Sequence, residues 1–107
     1  MKRGDIVPVA TPGDYGKPRP ALVIQSDFFD AHPSVTLCLI TSDLRDTPLF
    51  RLLVQPTTTN GLHKTSQVMV DKILTIPREK VRMAIGTLDA RTMLEVNRAL
   101  SLWIGLA

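Results

Sequence analysis

The chain has 107 residues, 44% of them hydrophobic and 21% charged, and thirteen Lys and Arg against ten Asp and Glu give it a formal charge of +3. This is the size of one domain, spanning 1–107, with enough apolar side chains for a core; a disordered chain would be more polar. A membrane-spanning helix needs roughly 20 apolar residues in a row, and no run approaches that. The mildly basic balance permits a polyanionic partner without requiring one. The charged opening Met1-Lys2-Arg3-Gly4-Asp5 has no apolar stretch behind it, and the expectation is a cytoplasmic chain.

In chain order, residues 6–10 read as a strand in which Pro8 lacks a donor and marks an edge or a bulge. Residues 11–18 form a turn-rich loop with two glycines and two prolines. Residues 20–25 read as a buried strand, and Ser26 can cap one helical turn through Asp30. Strands follow at 35–40 and 49–55, then a turn at 57–61 whose Asn60-Gly61 pair is its strongest signal. Short strands at 67–70 and 73–76 flank Asp71-Lys72, and residues 77–80 suit a helical turn with proline at its start. Residues 81–85 are expected as a further strand, stopped by Gly86. Asp89 then caps a helix whose Met93, Val96, Leu100, Trp103 and Ile104 recur at a 3-to-4 spacing, with Gly105 ending it. That stripe is core or dimer surface. Several short strands and one terminal helix predict a β-dominant α+β fold, a small twisted barrel or sheet with a helix packed on it.

The chemistry narrows by elimination. Cys38 is the single cysteine, sits in an apolar run and reads as a small core residue. His32 and His63 lie in separate polar turns with no Cys or carboxylate cluster beside either, so neither a metal site nor a cofactor is expected. No nucleophile elbow, P-loop or dinucleotide fingerprint is present. What remains are polar residues at the ends of apolar strands. Arg19, held between Pro18 and Pro20, is either a structural partner for a carboxylate such as Asp14 or a preorganised cation for a phosphate. Thr41 and Ser42 end a strand as caps or as phosphate donors. Asp71 is a surface carboxylate, an arginine's partner or a base. From Lys72 to Arg82 there are four cations, Lys72, Arg78, Lys80 and Arg82, against the single acid Glu79.

The ordered set Arg3-Gly4-Asp5-Ile6-Val7, Pro12-Gly13, Arg19-Pro20-Ala21-Leu22-Val23-Ile24, Leu39-Ile40-Thr41-Ser42, Asn60-Gly61-Leu62, Val70-Asp71-Lys72-Ile73-Leu74-Thr75-Ile76 and Gly86-Thr87-Leu88 resembles the MazF/PemK family of toxin endoribonucleases over nearly the whole chain. The resemblance implies an SH3-like β barrel with a C-terminal helix, as in the CcdB/PemK plasmid-maintenance toxins, and a homodimer. It implies cleavage of single-stranded RNA without metal, leaving 2′,3′-cyclic phosphate and 5′-hydroxyl ends, and a cognate antitoxin that covers the RNA groove. By position, Arg19 matches the family's catalytic arginine, Thr41 its catalytic threonine with Ser42 alongside, and Asp71 an acid that assists in some members. Gly16 and Lys17 fall in the loop bordering the RNA site, and the cations Lys72, Arg78, Lys80 and Arg82 become a track for the RNA backbone.

The chain departs from the pattern in three places. Its first loop is shorter, Met69 stands where some members carry an arginine, and Asp71-Lys72 replaces the usual Asp-Gln, with Lys72 a candidate substitute for the missing cation. A rival of the same fold is a CcdB-like toxin that poisons DNA gyrase by binding, through the end of its terminal helix. A second is a plain binding module, for which the 5% aromatic content offers few stacking platforms.

Overall fold

The computed structural model describes residues 1–10 and 17–107. Six strands, β1 (Asp5–Val9), β2 (Arg19–Val23), β3 (Ser34–Thr41), β4 (Arg51–Val54), β5 (Ser66–Pro77) and β6 (Gly86–Thr87), precede one helix, α1 (Ala90–Trp103). They form a single antiparallel sheet in the order β4-β5-β3-β2-β1-β6. The sheet is curled into a half-barrel carrying the helix, so the expected barrel is an open one.

The central strands are apolar on both sides because both faces are covered. On one face Ile6, Leu22, Cys38, Ile40, Val68 and Val70 pack with Val96 and Ala99 of α1. On the other, Val7, Val9, Ala21, Val23, Val35 and Leu37 meet Leu74, Ile76 and Val81. Runs such as 20–24 therefore lack the alternation of a half-exposed strand. Arg3 ties helix to sheet: its Nε donates to the Ile24 carbonyl at 2.9 Å and its guanidinium to Asn97 Oδ1 at 2.7 Å.

Two expectations need correction. The strands expected at 67–70 and 73–76 are one strand, β5, with a bend. Cys38 opposes Ile73 while Ile40 opposes Val68, so residues 69–72 face Leu39 alone. The surplus residues bend β5, which lets its first half pair with β4 and its second half fold along the rest of β3. The strand expected at 81–85 does not form. Val81 bridges Val9, Arg82 N donates to the Pro8 carbonyl and Ile85 N to the Ile6 carbonyl. Pro8 has no N–H to return, so the ladder lapses until Gly86.

The capping signals hold. Ser26 accepts from Phe28 N at the start of the 3-10 turn Asp27–Phe29, and Asp89 accepts from Thr92 N at the start of α1. Gly105 follows α1 at φ +82°. Of the helical stripe, Val96 is buried and Met93 and Leu100 pack against the core, whereas Trp103 and Ile104 are exposed, with Trp103 tilted against Phe50. No helix among the described residues is long and apolar enough to cross a membrane.

Candidate functional site

A cavity of about 330 Å³ opens at the end of the sheet where β2 begins and β3 finishes. Arg19 is the first residue of β2, paired with Val9, and the prolines on either side restrict its backbone. Ser42 follows the last residue of β3, and Ile40 and Leu62 supply apolar wall. The loop between β4 and β5 contributes His63 and Lys64, and Ile85 closes the far side. Arg19, His63 and Lys64 are the ionisable side chains among the described lining residues, and no carboxylate is among them. The cavity is therefore suited to an anion flanked by apolar groups.

Local chemistry fixes the wall from 60 to 66. Asn60 is buried and its side chain is bonded at both polar atoms: Oδ1 accepts from Thr57 N and Leu62 N at 3.0 Å each, and Nδ2 donates to the Gln55 carbonyl at 2.9 Å. Gly61 sits at φ +71°, and a Cβ there would lie 2.2 Å from the Ile85 carbonyl oxygen. Gly86 is pressed as tightly against the Asn60 carbonyl. Two glycines thus let two backbones cross in contact, and the next residues, His63 and Lys64, line the cavity that Arg19 also lines.

The other expected residues are distributed unevenly. Thr41 ends β3 opposite Gln67, and its Oγ1 accepts from Asp43 N at 3.0 Å, shaping the turn that presents Ser42. Gln67 holds the far side of that turn, accepting from Arg45 N and donating to the Arg45 carbonyl. Lys17 is exposed immediately before the cavity's Pro18. Arg82 is exposed beside Pro8, whose carbonyl accepts its N–H. Gly16 lies outside the described residues.

Asp71 is elsewhere. It stands in the β5 bend, its carboxylate 3.8 Å from Arg51 Nε, and each side chain is only 15% exposed. Neither lines the cavity. Of the open readings, arginine partner is the one the geometry fits, and the arginine is Arg51. Lys72 and Lys80 are exposed on β5 and on the 3-10 turn Arg78–Lys80. Arg78 donates from its guanidinium to the carbonyls of His32, at 2.9 Å, and Asp30. Pro77 pairs with Ser34 at the opposite end of β3 from Thr41, so Arg78 is separated from the cavity by the strand's length, about 25 Å.

Sequence reasoning did not place His63 and Lys64 in this cavity, nor Arg51 beside Asp71. The Asn60-Gly61 turn was legible, but nothing local shows that it crosses Ile85 and so points the next residues at Arg19. Cys38 is wholly buried, and burial pushes its thiol up to about 12 despite the opposing influence of Arg3. Among the described residues no three His, Cys, Asp or Glu side chains lie close enough together to hold a metal ion.

Residues 2–104 match the family described as PemK-like, MazF-like toxin of type II toxin-antitoxin system. The chain belongs to that family. It is 44% identical over 108 aligned positions to a probable endoribonuclease MazF of Mycolicibacterium smegmatis, covering 100% of this chain and 99% of the relative. It is 28% identical over 116 positions to endoribonuclease MazF9 of Mycobacterium tuberculosis, covering 99% and 98%. In structure it superposes on a mycobacterial endoribonuclease solved with its cognate antitoxin, at a TM-score of 0.85 and 22% identity over 100% of this chain and 97% of that one. This chain thus has the MazF fold.

Proposed function

We propose that this chain, as a single toxin domain spanning 1–107, is the toxin of a type II toxin–antitoxin pair and cleaves single-stranded RNA in the cytoplasm, in sequence-dependent fashion and without a metal ion. The observation that carries the reading is the cavity in which Arg19 meets Ser42 and Lys64 with no carboxylate among the described lining residues. In this reaction the ribose 2′-oxygen attacks its own phosphate, so no external nucleophile is needed. The protein must align that oxygen with the departing 5′-oxygen and neutralise the crowded phosphorane.

Arg19 supplies the charge through a planar fork that fits two phosphate oxygens. The Thr41-Ser42 pair donates hydrogen bonds to the same phosphate, and loss of one such donor costs roughly 10²–10³ in rate. Lys17, Lys64 and Arg82, grouped near the cavity, carry the flanking backbone, and Gly16, next to Lys17 in the sequence, is assigned the same role. Lys72 and Lys80 extend the cationic surface, and Arg78 is assigned to structure. Asp71 holds the β5 bend through Arg51 rather than touching RNA. A homodimer and a cognate antitoxin are part of the reading; a structural neighbour was solved with its antitoxin.

The test is cleavage of mixed-sequence single-stranded RNA in EDTA, with Arg19→Ala as control. Cyclic-phosphate ends, lost in the variant, are expected. A folded wild type that leaves a broad RNA panel intact overturns the reading, and DNA gyrase binding is then the next assay.

A further inference from the structure

We infer that His63 is the proton-accepting catalytic residue of this cavity. The inference rests on the proposed RNA cleavage and names the group that moves its proton. Attack by a ribose hydroxyl requires a base. Arg19 does not serve, because a guanidinium stays protonated at any working pH. Asp71, the carboxylate that sequence reasoning offers, is held against Arg51 and lies outside the cavity. The side chains that line this cavity with His63 include Arg19 from β2, Ser42 from the end of β3, Ile85 from the segment before β6, and Lys64 beside it in the chain. Among these described side chains only His63 carries an imidazole, whose neutral ring offers a nitrogen that can accept a proton.

Its placement is built. The Asn60 cage and the Gly61–Ile85 crossing fix the loop from which it projects, and its exposed ring lines the same cavity as Arg19. In the step, neutral His63 takes the 2′-hydroxyl proton as the O2′–P bond forms. The P–O5′ bond breaks with its electron pair on the 5′-oxygen, which takes a proton from water. The hydroxide so formed removes the proton from His63. Arg19 and Lys64 remain charged throughout and balance the phosphorane.

The experiment is single-turnover cleavage of single-stranded RNA across pH 5 to 8 by wild type, His63→Gln, His63→Ala and Arg19→Ala, with binding of a 2′-deoxy-substituted, non-cleavable RNA measured in parallel. The wild-type rate should rise with pH with unit slope and level off. His63→Gln should lose that limb and fall by roughly 10²–10⁴ on the plateau, while binding the non-cleavable RNA as wild type does. Added imidazole should restore rate to His63→Ala. A wild type that cleaves, an inactive Arg19→Ala and a His63→Gln that keeps the acid limb would overturn the role of His63 alone. A wild type that does not cleave would overturn the proposed function with it.

Discussion

Asp71 and Arg51 face each other at 3.8 Å, beyond hydrogen-bonding range, with Asp71 Oδ1 and Arg51 Nε both buried and without a hydrogen-bond partner among the described residues. Each charge is tolerated because the other is present. Asp71→Ala leaves Arg51 buried and uncompensated, and we expect a loss of about 3 kcal/mol in urea denaturation. The double change Arg51→Met with Asp71→Leu should recover much of it, because it removes both charges and keeps the packing volume. If that double variant is stable and inactive, Asp71 belongs to the chemistry after all. Cys38 gives a second residue-scale prediction. Only the thiolate reacts, and burial has pushed the thiol up to about 12, so a thiol reagent at pH 8 should label the unfolded chain and leave the folded one unmodified.

Among the elements, the loop between β4 and β5 depends on Gly61 twice, for a positive φ and for contact with the Ile85 carbonyl. Gly61→Ala should cost about 2 kcal/mol or more, and its residual cleavage should show that His63 and Lys64 have moved. Helix α1 depends on its first cap. Hydrogen bonds from the Thr92 hydroxyl and N–H hold the Asp89 carboxyl below its ordinary value. A carboxylate whose pKa is lowered by folding stabilises above its unfolded pKa, and that stabilisation is lost as pH falls through the folded one. Asp89→Ala should therefore lower Tm at pH 7, and the difference from wild type should shrink on acidification through the carboxylate range.

At the scale of the whole molecule, cations near and far from the cavity can be told apart by salt. Each phosphate neutralised adds about 0.7 to the slope of log affinity against log salt for single strands. Lys64→Ala should reduce that slope by about this amount without a change in Tm. Arg78→Ala should leave the slope alone and lower Tm, because its guanidinium holds the carbonyls of Asp30 and His32. A slope that falls with Arg78→Ala would put the far end of β5 on the RNA path.

The sequence by itself determined what is local or periodic. Apolar runs marked β2 and β3, Ser26 and Asp89 marked their caps, Asn60-Gly61 marked its turn, and the order of short motifs gave the family. Arg19 and Ser42 were legible as candidates because they are polar residues at the ends of apolar strands and their positions match the family's motifs. Tertiary structure decided the rest, for reasons that involve residues distant in the chain. The bend of β5 arises from register against β3, and the missing strand at 81–85 from an absent N–H on β1. Asp71 took Arg51 as its partner because β4 pairs with the near half of β5. His63 came to share a cavity with Arg19 because two glycines let the chain cross itself at Ile85. Periodicity records which face of an element is apolar; it does not record which elements will meet, and the cavity is made where they do.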